Sequence, residues 1–166
     1  MDQILSRAKF AQSTGKTKEA IKLYKSILKI DPYHSFSLFN LGILLKDQGP
    51  DQFNKVISYF QEVTKQDPTF INPYDELGDC FEKIGEPEKA VKAYQKAISI
   101  DPSIALLHNN LGNAIKMAGQ PKDAIPCYEL AIALKPDYAD AYNNMGTAFH
   151  MFNNTNNVFI VAISIP

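Results

Sequence analysis

The sequence has 166 residues, a net charge of −1, and 45% hydrophobic and 21% charged residues. This near-neutral charge gives no overall attraction to nucleic acid or to an anionic membrane. Its two cysteines, Cys80 and Cys127, stand far apart with no CxxC spacing, so we interpret them as core thiols rather than as a disulfide or metal site. The first ten residues, Met1–Phe10, include three charged side chains and no apolar signal-peptide core, which favours a cytoplasmic or nuclear protein.

Helical periodicity runs along most of the chain, as in Leu38, Leu41 and Leu45. Glycines mark the expected ends of alternate helices, and prolines mark the ends of the others. In chain order, the predicted helices span residues 4–13, 19–29, 36–47, 54–65, 72–83, 88–99, 106–117, 122–133 and 140–151. The sequence therefore predicts an all-α protein.

These helices follow a repeat, which is clearest where each second helix ends. Asp31-Pro32, Asp67-Pro68, Asp101-Pro102 and Lys135-Pro136 recur at intervals of 36, 34 and 34 residues. A period near 34 residues is typical of stacked helical hairpins. The longer first interval indicates a two-residue insertion, which the glycine spacing places within residues 50–54, in the loop of the second hairpin.

Two repeats fill nearly every column of a known pattern. They contain Tyr74, Leu77, Gly78, Phe81, Gly85, Ala90, Tyr94, Ala97, Pro102 and then His108, Leu111, Gly112, Ile115, Gly119, Ala124, Tyr128, Ala131, Pro136. In this the chain resembles the tetratricopeptide-repeat family. The resemblance implies a right-handed superhelix, an α-solenoid of antiparallel helix pairs, with about four and a half 34-residue repeats whose first helices line a concave groove.

The repeats divide the chain into an array over residues 1–152 and a non-repeat apolar tail over 153–166. The repeats span about 1–34, 35–70, 71–104 and 105–138, with a partial repeat at 139–152. The tail could be a strand-like flap over the last helix or a hydrophobic anchor for a partner, or the sequence could be a truncated or misread product whose true continuation held more repeats. We favour the last interpretation. The apolar run Val158–Ile165 is too short to span a bilayer, which needs about 20 residues.

No motif for chemistry is recognisable in the sequence. There is no phosphate-binding glycine loop and no nucleophile elbow, and His34, His108 and His150 fall in three different repeats without carboxylates or thiols at ligand spacing. We therefore expect no catalytic, cofactor-binding or metal site, and we predict that the chain is not an enzyme.

The resemblance also implies which side chains face the groove. Phe36, Phe39 and Ile43 form an apolar patch beside the acidic residues Asp75, Glu76, Asp79 and Glu82. Amide side chains recur in the other repeats, at Asn40, Asn109, Asn110, Asn113, Asn143 and Asn144. An asparagine has two donors and an acceptor, so a ladder of them can hold the backbone of an extended peptide.

These features predict an adaptor that holds an extended, basic and apolar peptide segment of a partner protein. The basic clamp of the chaperone-binding subclass is missing, since Asp75, Glu76, Asp140 and Leu5 stand where that clamp has basic residues. The asparagine ladder and Lys135–Gly146 resemble the superhelical repeats of O-GlcNAc transferases. The alternative is therefore a substrate-recognition fragment of a larger glycosyltransferase without its catalytic domain.

Overall fold

A computed structural model describes the backbone of residues 1–163 and the side chains of residues 1–154. Within these residues the chain forms nine α-helices, one short 3-10 helix at Pro50–Gln52 and no strand. The helices are α1 (Asp2–Ser13), α2 (Thr17–Ile30), α3 (Ser35–Lys46), α4 (Phe53–Gln66), α5 (Ile71–Lys83), α6 (Pro87–Ile100), α7 (Ala105–Met117), α8 (Pro121–Leu134) and α9 (Ala139–Ile163). The predicted all-α fold class is confirmed, and helices α1 to α8 begin and end within two residues of their predicted bounds.

The ninth helix differs from the prediction at its C-terminal end. We expected it to end at residue 151, whereas α9 continues to Ile163. That prediction was wrong because it followed the loss of the repeat pattern, while the asparagine-rich segment after residue 152 contains neither glycine nor proline to stop a helix. A helical backbone excludes the strand-like flap over residues 153–163. The anchor interpretation concerns the side chains of residues 155–166, which lie outside the described side chains, and the truncation interpretation stays a prediction.

The chain divides into two compact units, Met1–Ile84 and Gly85–Pro166. In the first unit α1 packs on α2, α2 on α3, α3 on α4, and α4 on α5. In the second unit α6 packs on α7, α7 on α8, and α9 on both α8 and α7. Each second helix has one aromatic side chain that is at most 1% exposed, and these are Tyr24, Phe60, Tyr94 and Tyr128.

Glycines in the first helices are sites of close contact with these aromatic rings. A Cβ atom built on Gly42 would lie 2.6 Å from a ring carbon of Phe60, and one on Gly112 would lie 2.6 Å from a ring carbon of Tyr128. Real Cβ atoms do not approach so closely, so the rings occupy space that a side chain at either position would need. Gly146 occupies the same column of the repeat in α9, and there a Cβ would meet no atom within 4 Å.

The loops between the helices follow their sequence signals. Gly15 and Gly85 end their first helices with φ angles of 73° and 76°, the left-handed region that glycine adopts without strain. The expected insertion forms the 3-10 helix Pro50–Gln52 between α3 and α4. Two-residue insertions of this kind are tolerated because the loop, rather than a packed helix, absorbs them.

The Asp-Pro steps have an additional role that was not expected from the sequence. The Asp67 carboxylate accepts hydrogen bonds from the backbone N–H and the hydroxyl of Thr69, and Asp101 does the same for Ser103. Side-chain and backbone hydrogen bonds from these residues hold the pKa of both carboxyl groups below its usual range. The two turns therefore lead into α5 and α7 in the same way.

Because the Tyr128 ring is fully buried against Gly112, replacing Gly112 by Ala should lower the free energy of unfolding by about 1–3 kcal/mol. Gly146→Ala provides a matched control, since its new methyl group meets open space and alanine favours a helix by about 0.5–1 kcal/mol. Urea unfolding of both variants measures the difference. Equal effects at the two positions would contradict the assigned register.

Candidate functional site

In the first unit, Lys46 connects two of the first helices. Its Nζ atom on α3 donates hydrogen bonds to the carboxylates of Glu76 and Asp79 on α5, at 2.9 Å for Asp79 Oδ2. Lys83, one turn further along α5, donates to the same Asp79 oxygen at 2.8 Å. The Lys46 side chain is only 17% exposed, so this network is partly shielded from water.

The charges in this network shift one another's pKa values. Burial alone would lower the pKa of Lys46, but the hydrogen bonds and the negative charges of Glu76 and Asp79 outweigh it and raise that pKa above its ordinary value. For Asp79, burial raises the pKa, whereas the hydrogen bonds and charges of Lys83 and Lys46 lower it by a larger amount. The pKa of Asp79 is therefore below its ordinary value. Both groups therefore remain charged at neutral pH.

The predicted apolar patch consists of side chains with different surroundings. Phe36 is 42% exposed, and the Lys9 ammonium lies 4.3 Å from the centroid of its ring. Phe39 is half-buried, with ring centroids 5.7 Å from Phe60 and 5.2 Å from Phe70. Phe36 therefore offers an accessible aromatic face, whereas Phe39 contributes to packing inside the unit.

The first of the predicted asparagines, Asn40, is part of a hydrogen-bond chain. Tyr24 donates its hydroxyl to Gln12 Oε1 at 2.6 Å, Gln12 Nε2 donates to Asn40 Oδ1 at 3.1 Å, and Asn40 Nδ2 donates to the Phe36 carbonyl at 2.8 Å. This chain links α1, α2 and α3. Asn40 thus holds two first helices in register, and these bonds use only part of its amide's hydrogen-bonding capacity.

Gln12 and Lys46 occupy the same column, four residues after the small residues Ala8 and Gly42. The second helix supplies Tyr24 in one repeat and Phe60 in the next. Gln12 accepts a hydrogen bond from the hydroxyl of Tyr24. Phe60 has no hydroxyl, and Lys46 instead donates a hydrogen bond to Asp79 on the next first helix, α5. Sequence reasoning did not pair Lys46 with Glu76 or Asp79. The signal in the sequence was the pair of opposite charges on neighbouring first helices, with the lysine on α3 and the carboxylates on α5.

The predicted asparagines of the second unit lie on α7 and α9. Asn144 Nδ2 donates to Asn109 Oδ1 at 3.0 Å, and the Tyr128 hydroxyl donates to Asn113 Oδ1 at 2.9 Å. Asn109 is buried and lies within 3.5 Å of Asn110, measured from Nδ2 to Oδ1, whereas Asn143 is exposed. The structure therefore brings Asn109, Asn110 and Asn144 together and anchors Asn113 to the aromatic ring behind it.

The remaining polar candidates have structural roles. His34 Nδ1 accepts a hydrogen bond from the Ser37 backbone N–H at the start of α3, and His108 Nε2 lies 2.8 Å from the Pro102 carbonyl. Burial raises the pKa of the Cys80 thiol to about 11, as expected for an unreactive core cysteine. Among the described residues, no three His, Cys, Asp or Glu side chains are grouped as a metal site would require. In the same part of the chain, no helix combines the length and apolar character needed to cross a membrane.

Comparison with known proteins identifies the repeat. A family model described as "TPR repeat" matches residues 78–119 and 117–151, and a second, described as "Tetratricopeptide repeat", matches residues 5–34. The chain belongs to the tetratricopeptide-repeat family. Members of this family are generally non-catalytic scaffolds, and their fold implies protein partners. No curated protein sequence matches the chain.

Several solved structures are similar to the chain. A crystal structure of MamA protein has a TM-score of 0.84 and 28% identity, over 92% of this chain and 82% of that chain. A second MamA crystal structure has a TM-score of 0.80 and 30% identity, over 86% of this chain and 82% of that chain. YrrB, described as a TPR protein with an unusual peptide-binding site, has a TM-score of 0.80 and 16% identity, over 91% of this chain and 77% of that chain. At 16% identity, the similarity to YrrB shows that the two chains share a fold and shows nothing further.

Replacing Lys46 by Gln should lower the free energy of unfolding by about 1–3 kcal/mol at pH 7, because it leaves two partly buried carboxylates without their shared cation. The lowered pKa of Asp79 means that this stabilisation is present above the unfolded pKa of about 3.9 and is lost as the pH falls through the folded value. Urea unfolding at a series of pH values should therefore show the wild type and the variant converging in acid.

Lys65→Gln is the control, because that lysine is 75% exposed and makes one bond within its own helix, to Glu62. Its replacement should cost less than about 0.5 kcal/mol. A Lys46→Gln penalty that is equally small, or that is independent of pH, would contradict the stabilising role of the network.

Proposed function

We propose that this protein is a non-catalytic adaptor and that the first-helix face of its N-terminal unit binds an extended peptide segment of a partner protein. The observation that carries the proposal is the exposed ring of Phe36, on the same helix α3 as the half-buried Ile43 and Asn40. An accessible aromatic side chain next to polar groups is typical of a peptide anchor site. The unusual peptide-binding site ascribed to YrrB, which shares the fold, supports this use of stacked helical hairpins.

Charge defines the expected ligand. Four carboxylates on α5, those of Asp75, Glu76, Asp79 and Glu82, stand with two lysines, Lys46 and Lys83, which leaves a net charge of −2. The face therefore favours a ligand with a net positive charge, even though Lys46 neutralises part of the acidic patch. Lys9 already lies over the Phe36 ring, so a Lys or Arg of the ligand can take that position by the same cation–π attraction.

We propose that the asparagine side chains of the C-terminal unit bind peptide backbone. Asn110, Asn113, Asn143 and Asn144 are at least partly exposed on its first helices, whereas Asn109 is buried and accepts a hydrogen bond that positions Asn144. Each bond among these side chains uses only part of an amide group's donors and acceptors. Such a surface recognises main-chain N–H and C=O groups rather than particular side chains. In this it differs from the anchor site of the N-terminal unit, which recognises basic and apolar side chains of the ligand.

The alternative function is a substrate-recognition fragment of a larger O-GlcNAc-transferase-like glycosyltransferase. The asparagine column at Asn40, Asn110 and Asn144 favours it, whereas Glu76 interrupts that column. A catalytic domain in a longer reading frame from the same locus would decide for this alternative.

The anchor can be tested with a library of labelled 12-residue peptides that place Lys or Arg two or three residues from Phe or Leu. For the best binder, Phe36→Ala should weaken the affinity by about tenfold in low and high salt alike, since salt screens contacts with a desolvated aromatic anchor, including a cation on its ring, much less than it screens exposed charges. Asp75→Asn should weaken it mainly in low salt, because its contribution is electrostatic. Fluorescence anisotropy titrations measure both effects.

Phe10→Ala is the matched control, because Phe10 is 63% exposed on α1 but outside the assigned face. It should leave the affinity unchanged. Phe39 is a less informative position, since its replacement also removes contacts with Phe60 and Phe70. If none of the peptides binds, or if Phe10→Ala and Phe36→Ala weaken binding equally, the assigned anchor is wrong.

A further inference from the structure

The second helix of the first repeat carries an unusual basic face. Four lysines of α2 follow one another at spacings of four, three and four residues, and all are exposed; they are Lys18, Lys22, Lys25 and Lys29. At about 100° per residue they fall in a stripe roughly 60° wide. The fully buried residues Ala20, Tyr24 and Ile27 lie on other faces of the helix. We call the four lysines the α2 lysine stripe.

No acidic side chain neutralises this stripe in the part of the chain that the structure describes. Glu19, the acidic residue in the first turn of α2, pairs instead with Arg7 at 3.9 Å. Residues 1–34 contain seven basic and three acidic side chains, a net charge of +4 in a chain whose total is −1. The positive charge is therefore concentrated at this helix.

The other repeats show that the fold does not require these lysines. The same four columns hold Asn54, Ser58, Gln61 and Lys65 in α4, then Glu88, Lys92, Gln95 and Ser99 in α6, and Lys122, Pro126, Glu129 and Ala133 in α8. Like charges three and four residues apart destabilise a helix. Packing within the repeat thus gives no reason for the stripe, and a binding role does.

The stripe borders an open cavity of about 360 Å³ along α2, which is lined by the four lysines together with Ile21 and Ser26. A helix that places carboxylates at the same four-three-four spacing has the same rise of about 1.5 Å per residue, so it can match the lysines over about 16 Å. We propose that this face of α2 binds an acidic helical segment of another protein. The proposal is independent of the peptide site on the first helices.

The composition of the surface argues against the other anionic partners. Ile21 is 8% exposed and Tyr24 is fully buried, and the exposed Ile30 in the last turn of α2 lies about 80° around the helix from the nearest lysine. The stripe itself therefore presents no large apolar side chain for insertion into a bilayer and no aromatic ring for stacking on bases. Its basic groups are lysines without a single arginine, whose planar fork would favour phosphate. Each lysine ammonium is a compact charge, so the stripe fits the separate carboxylates of an acidic protein segment.

The test uses a fluorescein-labelled helical peptide with Glu at positions 3, 7, 10 and 14 of an alanine-rich sequence, and the same peptide with Gln at those positions. At about 20 mM salt the full chain should bind the Glu peptide at least about tenfold more tightly than the Gln peptide. The double substitution Lys22→Gln/Lys25→Gln should weaken binding of the Glu peptide by about tenfold or more, as measured by anisotropy.

The matched control is Lys92→Gln/Lys96→Gln on α6, which changes the net charge by the same amount at exposed positions of another repeat. It should change the affinity by less than about twofold, and circular dichroism melts should show that both double variants remain folded. Equal losses in the two variants would overturn the proposal, as would tighter binding to phosphatidylserine vesicles or to a single-stranded oligonucleotide than to the Glu peptide.

Discussion

The contact between a first-helix glycine and a second-helix aromatic ring is the constraint on which the rest of the structure depends. At Gly42 and Gly112 the ring occupies the volume that a Cβ atom would need, so the two helices of a hairpin can approach only in one register. That register determines which side of each helix is buried. The exposed faces, and with them every candidate binding surface, follow from it.

The same contact determines where the polar side chains bond. Tyr24 and Tyr128 use their hydroxyl groups to hold Gln12 and Asn113, whereas Phe60 has none, and the lysine in the Gln12 column bonds to α5 instead. Where the buried ring carries a hydroxyl, as in Tyr24, the polar side chain of this column bonds within its own hairpin. Where the ring is Phe60, the side chain forms an ion pair with the next repeat. A ligand on the first-helix face must compete with these bonds or use their spare capacity.

The two surfaces proposed on the N-terminal unit differ in the sign of their charge. The α5 carboxylates are partly neutralised by Lys46 and Lys83, so that face combines a moderate negative charge with an accessible aromatic ring. The α2 lysine stripe has no acidic partner among the described residues and no aromatic side chain of its own. Partners of opposite charge can therefore be recognised on different helices of the N-terminal unit without competing for the same side chains.

The sequence by itself determined the helical hairpins, their register and the positions of their loops, because glycine, proline and the spacing of apolar residues act locally and recur every 34 residues. It misplaced the end of α9, where the repeat pattern stops but no local signal stops the helix. Only the tertiary structure decided which candidates share a contact. Phe36 and Phe39 are three residues apart on one helix, yet one is accessible and the other packs against Phe60 and Phe70. The physical reason is that burial and ion pairing depend on residues about 30 positions away, as Lys46 and Glu76 show, and such neighbours are set by packing between helices rather than by the local sequence.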